Sequence, residues 1–227
     1  MYVMIFIHGA GLNSSIWHYQ VQAFAGAHFP TLERVRTDHP SISDFTNYIS
    51  TYIQRHNIES PVLIGHSLGG GIALDYVLSF PHTVRALILI STSPIFQVPQ
   101  KFLDMILSDF DGFIATIMTM GFCEDASEKA KKLFVQTMKA TGAQTVYHDY
   151  VCANTFDIQD RIHHITVPTL ILAPAEDQML PLDISIFLSE HIKDSSLKII
   201  EGAGHMVIVE HPDLVNTEIQ SFMDELE

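Results

Sequence analysis

A serine flanked by glycines, between an apolar run and a run of small residues, restricts the possible folds of this chain more than any other feature. Residues 65–69 have the sequence Gly-His-Ser-Leu-Gly, the apolar run 61–64 precedes them, and Gly70 and Gly71 follow. This order predicts a strand, a very tight turn and then a helix, with Ser67 at the turn. A side chain at position 65 or 69 would clash at such a reversal, which explains the glycines. A glycine-rich turn of a nucleotide-binding fold has the same local pattern, so the choice depends on the rest of the chain.

Apolar runs alternate with helical patterns along most of the chain, which is typical of an α/β fold with a mostly parallel sheet. About six strands are predicted, at residues 2–7, 33–37, 61–66, 85–91, 168–173 and 197–201. Segment 33–37 alternates polar and apolar residues, unlike a buried central strand, so we place it at an edge. The spacing of apolar residues predicts flanking helices over 42–56, 68–79, 182–191 and 212–225.

One long segment, residues 94–157, interrupts this alternation and carries only helical patterns, at 101–107, 111–120, 126–140 and 143–153. An all-helical insertion between two strands, after the serine turn, is interpreted as a lid because ligand sites lie at the carboxyl ends of such strands. The alternative is an extra packed layer without a gating role. We therefore expect a core domain formed by 1–93 and 158–227, and a helical lid insertion formed by 94–157.

The charge balance and the cysteine count exclude several classes of partner. The chain has 12 Lys and Arg against 26 Asp and Glu, a formal net charge of -14, which argues against binding DNA, RNA or an anionic membrane surface. Cys123 and Cys152 are too few for a disulfide framework, and neither has a second ligand at metal spacing. The low cysteine count therefore favours a reduced, cytoplasmic protein. The start has no basic leading segment, which argues against a signal peptide, and no apolar stretch is long enough to span a bilayer, so no membrane insertion is expected.

A serine hydroxyl becomes a good nucleophile only when a base takes its proton, and the base must be oriented by a third group. The chain has 13 histidines, so a histidine alone is no evidence. His205 differs from the others because it follows the predicted strand 197–201 after Gly202 and Gly204, which let the loop carry the imidazole over the strand ends. His66 is adjacent to the serine and should point away from it. His205 is therefore the predicted base.

The acid that orients this base is expected on the loop after strand 168–173. Asp177 lies four residues past that predicted strand, on a loop that would meet the histidine loop at the same end of the sheet. Glu176 is the rival, but adjacent residues on the loop should point in different directions. The loop after the preceding strand, residues 91–94, has no carboxylate. We therefore predict Asp177 as the acid.

Acyl transfer also requires donors for the oxyanion of the tetrahedral intermediate. The backbone amide of Leu68, directly after the serine at the start of a helix, is one predicted donor. The other is the backbone amide of Ala10, in the segment His-Gly-Ala-Gly at residues 8–11, where glycines let the backbone approach the serine. A plain turn between a strand and a helix is the alternative for this segment. Trp17, which follows it, is expected either to line the pocket or to lie in the core.

Taken together, these segments resemble the α/β-hydrolase fold superfamily, and within it the lidded serine esterase-like group. The matching motifs run from near the start of the chain to near its end, namely residues 8–11, 65–70, 168–172 with Asp177 and Pro181, and 202–206 with Glu210 and Pro212. The order serine, aspartate, histidine is the one known for this fold. The resemblance implies the fold firmly and leaves the substrate open, because the fold hosts many chemistries.

Two departures from the family pattern are informative. Members usually carry an antiparallel hairpin before the strand that ends in His-Gly; this chain begins at that strand, so the N-terminal hairpin is expected to be missing. No arginine lies between Arg85 and Arg161, whereas members that cleave carbon–carbon bonds often use a lid arginine. The serine nucleophile argues against the dehalogenase and epoxide hydrolase branches, which use aspartate at that position.

The expected function is a serine hydrolase that cleaves a carboxylic ester of a small, partly apolar substrate through an acyl-enzyme intermediate. The expected partner is that small-molecule ester; no metal ion and no organic cofactor are needed, and the sequence predicts no oligomeric state. Two alternatives remain open. One is hydrolysis of another bond by the same residues: carbon–carbon, thioester, lactone or amide. The other is a ligand receptor of the same fold with slow turnover.

Overall fold

Five parallel strands form the sheet at the centre of the molecule. The computed structural model describes residues 2–32 and 40–226. Within them the strands are, in chain order β1 to β5, Met4–Ile7, Val62–His66, Ala86–Ile90, Thr169–Pro174 and Ser195–Ile200. Their order across the sheet is also β1-β2-β3-β4-β5, and every neighbouring pair is parallel. The predicted α/β fold with a mostly parallel sheet is confirmed.

The sixth predicted strand, 33–37, lies outside the described residues. Before this segment, His28 lies at the outer edge of β1, where it forms a parallel bridge with Ile5. The amide of His28 donates to the carbonyl of Met4 at 2.8 Å, and the amide of Phe6 donates to the carbonyl of His28 at 2.9 Å. The opposite edge of the described sheet is β5, whose residues are mostly exposed or half-buried, as expected for an edge strand.

Ten α-helices surround or extend this sheet within the described residues. In chain order, α1 to α10 are His18–Ala23, Ile42–Arg55, Leu68–Ser79, Gln100–Ser108, Phe110–Gly121, Glu128–Thr141, Ala143–Ala153, Leu182–His191, Val207–Glu210 and Pro212–Glu225. The start of α2 shows how local sequence sets a boundary: the Ser41 side chain accepts from the helix backbone, and Asp44 accepts from the Ser41 amide at 2.9 Å.

The strands divide the core into two apolar layers, because successive side chains of a strand point to opposite faces. One layer contains Phe6 and Ile64 and packs against α1, α10 and much of the segment 94–157. The other contains Ile5 and Leu63 and packs against α2, α3 and α8. Strands β1 to β4 are buried along their whole length, which accounts for their continuous apolar sequences.

Residues 94–157, called the helical insert below, contain α4 to α7, as predicted from the spacing of apolar residues. The two ends of the insert are paired with each other. The amide of Ile158 donates to the carbonyl of Pro94 at 2.9 Å, and the amide of Phe96 donates to the carbonyl of Phe156 at 3.3 Å. The chain therefore leaves the sheet after β3 and returns before β4 at one narrow place. None of the helices in 2–32 and 40–226 has the length and apolar character needed to cross a membrane.

Candidate active site

Ser67 occupies a strained turn between β2 and α3. Its backbone has φ 54° and ψ -122°, a conformation that residues other than glycine rarely adopt. A β-carbon on Gly65 would overlap the backbone of Gly69, and one on Gly69 would overlap the carbonyl of Ile7 in β1. The Thr92 hydroxyl donates to the Ser67 carbonyl at 2.6 Å. The turn is thus held in place by close packing, and its two glycines are required by the space available.

His205 and Asp177 meet at the same end of the sheet. His205 lies on the loop between β5 and α9, Asp177 lies between β4 and α8, and the His205 Nδ1 atom is 2.7 Å from Asp177 Oδ2. Both side chains are buried. The other carboxylate oxygen accepts from the amides of Met179 at 2.8 Å and Leu180 at 2.9 Å. Glu176, the alternative acid on the same loop, is exposed to solvent.

The His205 imidazole has a defined tautomer because of this contact. A carboxylate can only accept, so Nδ1 carries the proton and donates it to Asp177, and Nε2 presents a lone pair. Ser67 and His205 line the same cavity. Within the described part of the chain, the Ser67 hydroxyl makes no hydrogen bond to the His205 ring. In sites without substrate such contacts are often long, and they tighten when the substrate binds.

The loop after β1 brings the amide of Ala10 to this cavity. Leu32 N donates to His8 Nε2 at 3.1 Å, so the ring proton is on Nδ1, which donates to the Gly9 carbonyl at 2.9 Å. Across a trans peptide the Gly9 carbonyl and the Ala10 N–H point in opposite directions. Ala10 and Leu68 both line the cavity beside Ser67. Among residues 2–32 and 40–226, neither of their amides donates a hydrogen bond to another protein group.

The cavity has a volume of about 210 Å³. Besides the groups already described, its wall is apolar and comes from the helical insert and the loop after β4, with side chains of Phe96, Val98, Pro99, Phe102, Ile117, Met120, Tyr150, Ala153, Met179 and Leu180. Gln97 and Tyr150 add polar atoms. Of the described residues, no Asp, Glu, Lys or Arg lines it. Trp17, by contrast, is fully buried in the core against Phe6.

His66 is a neutral, buried part of this site. Its ring packs between Trp17 and His205, and its Nε2 atom is 2.9 Å from the His205 carbonyl, to which it donates. Burial, followed by the nearby His205 ring, lowers the pKa of His66 to about 3. Its adjacency to Ser67 predicted that His66 would not act as the base, and its Nε2 proton is donated to the His205 carbonyl in the structure. Sequence reasoning missed that His66 fixes the backbone of the histidine loop, because adjacency to Ser67 gives no sign of that contact.

Glu210 is a second residue whose structural contacts the sequence did not reveal. Its carboxylate accepts from the amide of Cys123 at 2.9 Å and from the amide of Gly204 at 3.2 Å. The amide of Met206 also donates to the carbonyl of Gly121 at 2.9 Å. These contacts join the end of α5 to the loop that carries His205. Burial, followed by the hydrogen bond with Glu210, raises the pKa of the Cys123 thiol to about 11.

Comparison with known proteins finds hydrolases and esterases both by sequence and by structure. The model of the alpha/beta hydrolase family matches residues 4–218. A pimeloyl-[acyl-carrier protein] methyl ester esterase of Pectobacterium atrosepticum is 26% identical over 244 residues, covering 96% of this chain and 93% of that protein. An esterase from Exiguobacterium antarcticum has a similar structure, with a TM-score of 0.89 at 20% identity, covering 99% of this chain and 92% of that one. An esterase from Thermogutta terrifontis has a TM-score of 0.90 at 18% identity, covering 100% and 90%.

Proposed function

The chain belongs to the alpha/beta hydrolase family, and we propose that it is a serine hydrolase acting on a carboxylic ester of a small, partly apolar substrate. The observation that carries the proposal is the contact of 2.7 Å between His205 Nδ1 and Asp177 Oδ2, beside Ser67 on its strained turn. Ser67 and His205 line one cavity, and Asp177 holds the His205 ring from a third loop. The named esterase among its relatives supports an ester as the substrate.

In this proposal Ser67 Oγ attacks the acyl carbonyl while His205 Nε2 takes its proton. Asp177 stabilises the resulting imidazolium and keeps the ring in the tautomer that presents Nε2. The amides of Met179 and Leu180 donate to the second oxygen of Asp177, so the carboxylate is fixed in orientation. The proton on His205 then goes to the oxygen of the leaving alcohol.

The oxyanion of the tetrahedral intermediate is held by the amides of Ala10 and Leu68. Their N–H groups have no other acceptor among the described residues, so no existing hydrogen bond is lost when the oxyanion forms. Each donor of this kind contributes on the order of 3 kcal/mol to lowering the barrier. Water, activated by His205, then attacks the acyl-enzyme, and the carboxylic acid leaves with the serine restored.

The cavity supports a small substrate that is neutral around the scissile bond. Its wall is apolar, with no charged side chain among the described residues that line it, and its volume is about 210 Å³. A charged group placed against this apolar wall, away from the Ala10 and Leu68 amides, would lose its hydration without gaining a partner. Phe102, Ile117 and Tyr150, all from the helical insert, form part of this wall. We accordingly assign 94–157 as a lid on a core made of 1–93 and 158–227.

A reducing compartment fits the two thiols. Neither Cys123 nor Cys152 takes part in a disulfide bond among the described residues, and Cys152 is buried. We therefore propose that the protein works in the cytoplasm on a small ester, without nucleic acid, membrane insertion, metal or organic cofactor as partners. The net charge of -14 supports the exclusion of nucleic acid.

Ester turnover by matched serine variants tests the proposed function. Nitrophenyl esters of increasing acyl length are offered to the wild type, to Ser67→Ala, and to Ser108→Ala as an exposed control in α4. We expect Ser67→Ala to lose at least about 10⁴-fold in kcat, since the nucleophile is removed, and Ser108→Ala to match the wild type. Equal turnover by Ser67→Ala would contradict the assignment. If the wild type cleaves a thioester, lactone or amide but no ester, the proposed substrate is wrong, and the assignment of Ser67 as the nucleophile still holds.

A further inference from the structure

Asp149 is a buried carboxylate that the proposed chemistry does not use. It lies on α7 of the helical insert and is fully inaccessible to solvent. Its Oδ2 atom accepts from the backbone amide of Gly11 at 2.9 Å, across 138 positions of sequence. Its Oδ1 atom faces His148 Nδ1 at 3.8 Å. A carboxylate in such a place is costly unless hydrogen bonds satisfy it, so its contact with the loop after β1 requires an explanation.

Gly11 directly follows Ala10, whose amide is the proposed oxyanion donor. On one side of Ala10, the Gly9 carbonyl is fixed by His8 Nδ1 at 2.9 Å and by the amide of Leu12 at 3.3 Å. On the other side, the Gly11 amide is fixed by Asp149. The two peptide planes that flank Ala10 are therefore held by separate partners, one from the core and one from the helical insert.

The backbone conformation of Gly11 is one that glycine adopts easily but does not hold by itself. Gly11 has φ +70°, a conformation open to glycine, and a β-carbon at this position would lie 2.7 Å from the sulfur of Met138 in α6. Glycine makes the turn possible but does not by itself keep it in one conformation, because glycine populates several regions of φ and ψ. A fixed partner for the Gly11 amide removes that freedom.

We propose that Asp149 is a positioning residue for the oxyanion site: by holding the Gly11 amide, it keeps the Ala10 N–H directed at the site where the oxyanion forms. This inference rests on the proposed function. It gives α7 of the helical insert a part in stabilising the transition state, in addition to forming the cavity wall. Because Asp149 touches no reacting atom, it acts only through the loop.

Variants of Asp149 separate positioning from packing. Asp149→Ala and Asp149→Leu remove the acceptor, the second with the branched shape of the side chain kept, whereas Asp149→Asn keeps an oxygen that can accept from Gly11. The matched controls are Asp75→Ala and Asp75→Asn, because Asp75 is also buried and accepts a hydrogen bond, from the Thr46 hydroxyl at 2.7 Å, on α3 away from the loop. Each variant is measured for kcat and KM on a nitrophenyl ester and for inhibition by a trifluoromethyl ketone.

The trifluoromethyl ketone gives a readout that a structural role would not change. The Ser67 hydroxyl adds to its carbonyl carbon, and the carbonyl oxygen becomes an oxyanion in the same site as in the transition state, so its Ki reports the oxyanion donors. For Asp149→Ala and Asp149→Leu we expect kcat to fall and Ki to rise in parallel, by about 10- to 100-fold, with KM changed less than about threefold. Asp149→Asn should recover most of the loss, and the Asp75 variants should match the wild type in kcat and Ki.

Two outcomes would overturn the inference. One is that kcat and Ki of Asp149→Ala and Asp149→Leu lie within about threefold of those of the Asp75 controls. The other is that Asp149→Asn recovers none of the lost kcat and inhibitor affinity. If neither acceptor-free variant folds, hydrogen exchange of the Gly11 amide in the wild type decides. Protection supports the fixed contact, and exchange at the rate of an open loop amide refutes it. Failure of the proposed function is distinguishable, since it would show as a wild type that cleaves no acyl substrate and takes up no trifluoromethyl ketone.

Discussion

At the scale of single residues, the site depends on groups kept in one protonation state. His66 is the clearest case, because its ring is buried against His205 and its Nε2 proton is donated to the His205 carbonyl. Its pKa of about 3 means that the ring stays neutral through the range in which an ordinary histidine becomes charged. A charged His66 would lie beside the imidazolium that the proposed mechanism forms on His205, and burial prevents that.

His66 predicts a specific acid dependence of stability. Its pKa is about 3 in the folded state against 6.5 in the unfolded chain, so below pH 6.5 the unfolded state binds more protons. The stability contributed by the neutral ring is complete above pH 6.5 and is lost as the pH falls towards 3. His66→Gln, which keeps a donor for the His205 carbonyl, should flatten this fall by on the order of 1 kcal/mol per pH unit.

Urea unfolding at pH 7, 5.5 and 4.5 measures how the free energy of unfolding depends on pH. A variant at the exposed His163 is the control. His163→Gln should retain the pH slope of the wild type. Identical slopes for His66→Gln and the wild type would contradict the assignment of a neutral, buried His66.

At the scale of elements, the helical insert is joined to two loops of the site. Asp149 on α7 binds the loop after β1, and Glu210 binds both Cys123, after α5, and Gly204, just before His205. In the proposed role as a lid, the helical insert could open only on the side where these contacts do not hold it. The side of the cavity formed by residues 96–99 and Phe102 lies away from both ties along the chain, at the start of the insert.

The tie through Glu210 predicts the reactivity of Cys123. With a pKa of about 11, only about one Cys123 in a thousand is a thiolate at pH 8, so alkylation by iodoacetamide should be slow. Glu210→Gln removes a negative charge and an acceptor from the thiol, which lowers its pKa and should speed alkylation several-fold. Burial, the largest cause of the raised pKa, remains. Glu201→Gln, on the exposed loop after β5, is the control and should leave the rate unchanged. Wild-type alkylation at the rate of an unperturbed thiol would contradict this account.

These elements also show what the sequence could and could not predict. The bounds of eight helices were predictable to within two residues because apolar spacing and caps are local signals, as in 42–56 against Ile42–Arg55. The short helices α1 and α9 were not predicted. The turn at Ser67 was predictable because two glycines are required by close backbone packing. The contacts of Asp149 and Glu210 were not, because they join residues 138 and 87 positions apart and depend on how the insert packs. Trp17 was left open between pocket and core, since either surrounding favours an aromatic ring, and it lies in the core.

At the scale of the whole molecule, charge and apolar surface are separated. The chain carries a net charge of -14, yet no charged side chain among the described residues lines the cavity. This separation favours a neutral substrate that enters an apolar site from an acidic surface. The family match over residues 4–218 spans the sheet, its loops and the insert, and the wall of the cavity comes largely from the insert. Substitutions in the insert are therefore expected to change which substrates are accepted. Substitutions in the loops that carry Ser67, Asp177 and His205 are expected to change the rate of the reaction.

The central claim is that Ser67 is a nucleophile activated by His205, and a mapped covalent label tests it most directly. The wild type is treated with a fluorophosphonate and digested, and the modified peptide is sequenced by mass spectrometry. We predict one adduct, on Ser67, with the labelling rate reduced at least about 100-fold in His205→Ala because the base is lost. The absence of an adduct, an adduct on another serine, or equal labelling of His205→Ala would contradict the account.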